Sequence, residues 1–347
     1  MDSVARSSLS GTALRALRGL LAPLLAAVLL GLFVFFVGWQ EFFESLAGAN
    51  MPVYALAFIS TCLCLCARSL VWQRMLEIAH RSRSLSFVGS LFLSATFCKY
   101  VTPYGQVAAE PGVAAVVARK AEIRYETGLA TVVSADFLNY VPYYTIGGLG
   151  LGSVLLTATI PGARYSVIFL AIVAFLIVAL VGALWRFRTA VSRLVILAML
   201  PIHRVLSAVS TRRAALLSRE QLAERLDGFY RTLDLVACDR RGVLLALAYA
   251  HLGWVFLALP LVFTAYALGT PLSLGIAFST VALGKLGSVL PLPGGVGGVE
   301  IVIASILTVV ATIEPATAAA IAICYRFSVY WFSLFLGGIA SIRLSRA

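Results

Sequence analysis

Charge is what this chain has least of. Of 347 residues only 12% are Asp, Glu, Lys or Arg, while 61% are hydrophobic and the mean hydropathy is +0.97. Soluble domains carry about 25% charged residues, so a soluble globular surface is excluded and a polytopic membrane protein is implied. Histidine is scarcer still: His80, His203 and His251 are scattered, with no spacing that suggests a metal centre or a Ser-His-Asp group. Of the six cysteines, Cys62, Cys64, Cys66, Cys98 and Cys324 fall in apolar segments, where a free thiol behaves as a small hydrophobe. The run "CLCLC" puts only Cys62 and Cys66 on one helical face, with no His near enough in sequence to finish a zinc site. A Walker lysine motif is missing, and "GGVGGVE" lacks the strand and acidic follow-up of a dinucleotide fingerprint. No metal, cofactor or ATP-driven chemistry is therefore expected. The net charge of +12 comes from Lys and Arg placed between apolar runs, not in an aromatic-interleaved patch; they read as topology signals and not as a nucleic-acid surface.

A spanning helix needs about 20 mostly apolar residues. Six segments qualify: 20–39, 51–72, 127–156, 163–185, 242–268 and 316–342. The first follows Arg6, Arg15 and Arg18 and precedes "AGA" at 47–49, which loosely resembles a cleavage site. Its apolar core exceeds the roughly 7–15 residues of a secretory signal, so an uncleaved span is expected. Two further apolar stretches are broken, 85–118 by "TPYG" and 273–311 by "VLPLPGGVGGVE". Each suits a re-entrant helical hairpin, whose irregular backbone must be buried in protein or line a cavity because lipid offers it no hydrogen bonds.

The distribution of basic residues tests this count. With the N-terminus in the cytoplasm, "QRMLEIAHRSRS", "ARKAEIRYE", "RFR" and "RLSRA" fall inside, while "QEFFESLAGAN", "TATIPGA", "GTP" and "TIEPA" fall outside. Only Arg164 breaks the pattern, at a span boundary. Had either broken stretch been one full span, every later loop would reverse sign. The expected fold class is an all-α integral membrane protein of about six transmembrane helices plus two re-entrant hairpins. It forms a single polytopic domain over 1–347 in the plasma membrane, both termini cytoplasmic. Residues 188–241, charged but with Leu216, Leu217, Leu222 and Leu226 at helical intervals, read as a cytoplasmic amphipathic connector.

An offset of 190 residues pairs Pro103 with Pro293, Gly105 with Gly295, Glu110 with Glu300, Asp136 with Arg326 and Tyr140 with Tyr330. Such self-similarity indicates duplication, giving one repeat over 51–156 with hairpin 85–118 and another over 242–342 with hairpin 273–311, joined by the linking span 163–185. By the charge assignment the copies are inverted, an architecture of secondary transporters in which broken helices meet at a substrate site near the bilayer midplane. Ionisable groups within such segments cost about 2.5–3.5 kcal/mol each to insert. The set comprises Arg68, Lys99, Glu110, Asp136, Lys285, Glu300 and Arg326. Arg68 lies near a span end and can snorkel. Asp136 and Arg326 are candidates for mutual neutralisation across the repeats, and Lys99 or Lys285 for pairing with a glutamate. Lys99, Lys285 and Arg326 together could hold a phosphate. Asn139 and Tyr140 share the Asp136 helix with Tyr143 and Tyr144, and Pro103, Gly105, Pro293, Gly294, Gly295 and Gly297 form the helix breaks.

The segments "KYVTPYGQVAAEP", "LPLPGGVGGVE" and "YRFSVYWFSLFLGG" resemble the lysylphosphatidylglycerol synthase transmembrane-region family of flippase-like membrane proteins, over roughly 20–342. The family's motif positions fall on Pro103, Gly105, Glu110, Pro293, Gly294, Gly295, Gly297, Glu300 and Arg326. Ala108 and Ala109 stand where glycine is expected before the first glutamate. Larger members join this region to a soluble aminoacyl-transferase domain, absent from this sequence, so lysyl transfer is not implied. The resemblance implies movement of an amphiphilic lipid, a phospholipid or a polyprenyl-phosphate-linked sugar, between leaflets. The rival expectations are a membrane-embedded transferase or accessory subunit of polyprenyl-lipid metabolism, and a scaffold that recruits a cytoplasmic partner at 188–241. Membrane lipids are the expected partners, with a homo-oligomer as a further expectation and nucleic acid excluded.

Overall fold

The computed structural model describes residues 47–157, 218–289 and 292–346, with scattered positions at 40–44 and 182–197. The expected span 20–39, nearly all of 163–185 and residues 198–217 of the connector lie outside the described residues.

Every described element is helical. The first helix, α1 (Met51–Ala79), is N-capped by Asn50, whose side chain accepts from the Val53 amide at 3.3 Å, and has Pro52 in its first turn. Its 29 residues extend about 43 Å. Ser84 caps α2 (Leu85–Val101), which stops before Pro103, because the residue preceding a proline is driven out of helical conformation. A single turn, α3 (Gly105–Ala108), leads into α4 (Glu110–Ala121), which has Pro111 at its start. The 33-residue α5 (Tyr125–Thr157) follows, with Pro142 inside it. Next come α6 (Arg219–Cys238) and α7 (Arg240–Ala267), the latter capped by Asp239. The second broken stretch begins as α8 (Leu274–Gly284), tightens into 3-10 turns at Lys285–Val289 and Pro293–Gly295, and resumes as α9 (Gly298–Val310). The last two helices, α10 (Pro315–Arg326) and α11 (Phe332–Arg346), are joined by a π-helical turn at Phe327–Trp331.

Among the described residues, four stretches are long and apolar enough to cross a membrane: Met51–Ala79, Arg240–Ala267, Pro293–Val310 and Pro315–Arg346. Three of them coincide with expected spans; the expected span 127–156 forms the single helix α5 but is not among the four. The fourth falls inside the second broken stretch, since the turn at Pro293 runs on into α9.

Helix α1 packs along α7 through small residues. Ala57, Ala67, Ala250 and Gly253 are buried or nearly so, and the Ser60 hydroxyl donates to the Phe256 carbonyl across the interface at 2.8 Å. Small side chains and interhelical hydrogen bonds are how helices associate in lipid, where no hydrophobic drive favours contact with protein over tails. The opposite face of α1 exposes Leu56, Ile59 and Leu63, spaced one helical turn apart. One large core cluster includes Met75, Val88, Val113 and Ala246; a second includes Trp254, Leu261, Ile303 and Ile321. Helix α7 contributes to both and so couples the two broken stretches. Of the amphipathic connector, α6 docks on protein: Gly228 lies against Glu126, Thr232 and Val236 are buried, and Arg124 reaches Glu224 at 2.8 Å.

Between α9 and α10, Glu314 accepts from the Ala316 and Thr317 amides at 3.0 and 2.9 Å. Burial by itself would raise its carboxyl, but those amides and the Thr317 hydroxyl outweigh it and hold the group below the ordinary carboxylate value. A lowered folded-state value contributes stability above the unfolded pKa, lost as pH falls through the folded one. Glu314→Ala should lower the melting temperature in detergent at neutral pH, a loss of about 1 kcal/mol typical of a cap. The difference from wild type should close on acidification through and below the ordinary carboxylate range, as read by thermal unfolding across pH.

Candidate functional site: a cationic cavity between two helix breaks

Both breaks are built by backbone that a regular helix cannot adopt. At the first, Tyr104 takes a left-handed conformation (φ 51°), and Gly105 sits so close to α2 that a Cβ there would run into the Lys99 carbonyl. At the second, Gly294, Gly295 and Gly297 all have positive φ (59°, 67° and 86°), and a Cβ on Gly294 would overlap the Tyr330 ring. The breaks meet. The Tyr104 hydroxyl donates to the Val289 carbonyl at 3.2 Å, and Tyr330 from the π turn donates to the carbonyls of Tyr100 and Pro293 at 3.2 and 3.4 Å. The tyrosine rings of Tyr100 and Tyr330 lie 4.9 Å apart, centroid to centroid.

Each break holds its own ion cluster. At the first, Lys99 bridges Glu110 (2.8 Å) and Asp136, while Asp136 also accepts from the Trp72 indole at 3.3 Å. At the second, Glu300 is 1% exposed. One of its oxygens accepts from Arg326 Nε at 2.9 Å and the other from the Gly297 amide at 2.8 Å. That second contact is half of a capping box, satisfying one of the amides left open where α9 starts. Arg326 also donates to the Gly294 carbonyl at 2.8 Å and lies 4.3 Å over the Tyr330 ring. The π turn begins directly after Arg326; such turns widen a helix locally and are frequent at functional sites.

Between the breaks is a cavity of about 460 Å³. Its wall includes Lys99, Lys285 and Arg326, the break residues Gly105, Gly294 and Gly295, and the aromatic side chains of Tyr140, Tyr143 and Tyr325. The Tyr140 hydroxyl donates to Gln106 at 2.6 Å. A smaller compartment of about 80 Å³ adjoins it, sharing Lys99, Tyr140, Tyr143 and Lys285 and adding Arg68, Asp136 and Asn139. The family model for the lysylphosphatidylglycerol synthase TM region matches residues 19–337. The chain belongs to this family. Membership in the lysylphosphatidylglycerol synthase TM-region family, together with the apolar helices, makes it a multi-pass membrane protein of lipid metabolism or transport. No curated protein matches the chain.

The expected site residues of this family member converge, but with different partners from those the repeat suggested. Lys99, Tyr140, Lys285 and Arg326 line the larger cavity, and Asp136 and Asn139 the smaller one. Glu110 and Glu300 stand behind the wall as counter-ions. Pro103 is exposed in the first break, whereas Pro293 is buried and Gly297 caps α9. The expected Asp136–Arg326 pair does not form: Asp136 closes an ion pair with Lys99 of the first broken stretch and Arg326 with Glu300 of the second. A shared sequence offset does not by itself bring two positions into contact. Sequence reasoning passed over Arg68 as a snorkelling residue. It points instead into the smaller compartment, and its Nε is buried without a hydrogen-bond partner. Gln106 and Tyr100 were also missed, although both flank the first helix break; Trp72, inside α1, was missed as well and lies away from both breaks in sequence. All six cysteines are unpaired, and Cys64 and Cys324 are buried.

Removing one member of a buried ion pair leaves an uncompensated charge, at about 3–5 kcal/mol. Arg326→Met and Glu300→Met should each depress the melting temperature in detergent strongly, while the double variant should lose clearly less than the sum of the two. A double-mutant cycle by thermal unfolding checks this; additive losses would show that the pair is not coupled.

Proposed function

We propose that this chain moves an amphiphilic lipid between leaflets, holding the headgroup in the cavity while the tail stays in the bilayer. The observation that carries the reading is the cavity itself, a cation-lined chamber where two helix breaks of a membrane-embedded chain meet. Its lining passes from Lys99, 7% exposed, to the apolar Val107 and Val289, 78% and 71% exposed. That gradient suits a molecule with a charged head and a hydrocarbon tail. In this reading α2–α4 and α8–α9 are re-entrant hairpins of two inverted repeats, each break lining a cavity because irregular backbone at that depth has nowhere else to be satisfied. The distribution of basic loops supports cytoplasmic termini in this reading, and the membrane concerned is taken to be the plasma membrane. Transport then proceeds by alternate opening of the two repeats around a fixed site, with no nucleotide hydrolysis.

Purified protein in liposomes, with fluorescent lipids of varied headgroup in one leaflet, tests the proposal. Wild type should scramble or flip at least one lipid well above the protein-free rate, and Val107→Trp, which narrows the exposed rim without touching an ion pair, should slow it. Protein-free rates across a broad headgroup panel would sink the transport reading. Single cysteines at Ser84 and Glu122 should be labelled from the same side of the membrane; labelling from opposite sides would exclude the first hairpin.

A further inference from the structure

Four cations and three carboxylates surround the two compartments: Arg68, Lys99, Lys285 and Arg326 against Glu110, Asp136 and Glu300. The carboxylates are all committed to Lys99 and Arg326. Lys99 is held between Glu110 and Asp136, and Arg326 spends its donors on Glu300 and the Gly294 carbonyl. Among the described residues, no carboxylate lies within ion-pair distance of Arg68 or Lys285, although both line the same 80 Å³ compartment. One comes from α1 and the other from the break after α8, so the two repeats each contribute one bare cation to a shared space. Like charges facing one another in a low-dielectric pocket repel, and an anion between them removes that repulsion. The compartment has room for a small group, not for a sugar or an acyl chain.

We infer that Arg68 and Lys285 are the pair that binds the phosphate of the headgroup, and that the lipid selected is a phosphodiester carrying one net negative charge. The inference rests on the transport reading for the lipid and on the geometry alone for the anion. Charge balance gives the class. With all seven groups ionised, four cations minus three carboxylates leave one positive charge, which a monoanionic phosphodiester cancels. A dianionic phosphate overshoots by one charge. A zwitterionic headgroup brings its own ammonium towards two cations and leaves the excess uncancelled. The phosphate in the small compartment leaves the larger cavity for whatever polar group the phosphodiester carries, facing the hydroxyls of Tyr140 and Tyr143.

The test compares wild type with Arg68→Gln, Lys285→Gln and Lys285→Arg, each first shown to melt cooperatively in detergent. Glycerophosphoglycerol, glycerophosphocholine and inorganic phosphate are the soluble probes in thermal-shift and calorimetric binding. Fluorescent lipids with glycerol or choline on the phosphodiester are the probes in liposomes. Wild type should bind glycerophosphoglycerol in preference to the other two and move the monoanionic lipid faster. Either glutamine variant should weaken both by about tenfold or more, the size of a lost charge-assisted contact, and Lys285→Arg should retain them. Undiminished preference in both glutamine variants overturns the inference, as does equal movement of the zwitterionic lipid. Tighter binding of inorganic phosphate than of the diester would make the ligand a free anion and overturn the headgroup assignment. Should wild type move no lipid yet bind glycerophosphoglycerol through Arg68 and Lys285, the phosphate pair stands and the transport reading falls.

Discussion

Glu300 gives one carboxylate oxygen to Arg326 and the other to the amide that opens α9, and the second helix break depends on that double engagement. A chain that interrupts a helix in an apolar setting uncovers amides and carbonyls whose desolvation is costly unless each finds a partner. Here one buried acid closes the amide side and the arginine it neutralises closes the carbonyl side at Gly294. The break, the ion pair and the π turn that follows Arg326 are therefore one object. Removing the acid would leave a buried cation and an amide without their partner at once, which is why a membrane segment keeps a glutamate it would otherwise be costly to insert.

The first break solves the same problem with different parts. Its acid, Glu110, opens α4 as Glu300 sits near the start of α9, but its cation, Lys99, comes from the helix before the break, whereas Arg326 comes from α10, one helix beyond α9. The position equivalent to Arg326 is then free to be Asp136, and it is used as a second acid on the same lysine. The opposite charges of Asp136 and Arg326, 190 residues apart, follow from where each break takes its cation.

How far this was legible in the sequence depends on how local each feature is. Pro103, Gly105 and the run from Pro293 to Gly297 announce their breaks because helix termination is decided by a residue's own backbone preferences. The described helices accordingly begin at Leu85 and Leu274, where the broken stretches were placed. That Lys99 meets Glu110 follows almost as directly, since the turn between them folds the chain back. The fate of Arg68 was not legible. An arginine near the end of a span has a long enough stem to reach water, and what prevents it is the neighbour: Gly253 on α7 lets the Arg68 stem lie against its backbone, where a Cβ would come within 3.2 Å of Cγ. Nothing in the α1 sequence carries that information, because it belongs to the packing of two helices almost two hundred residues apart.

The same packing explains why the cavity is cationic and not neutral. Around each break the nearest ionisable residues pair among themselves: the first cluster keeps one surplus negative charge and the second keeps none. The cations left over, Arg68 and Lys285, belong to elements that face each other only once the two halves assemble. Their surplus is a property of the assembled chamber and of neither half alone. The ion pairs at each break are closed locally, so the uncompensated positive charge arises only where Arg68 and Lys285 share one compartment, and it is the packing of α1 against the second break that concentrates it there.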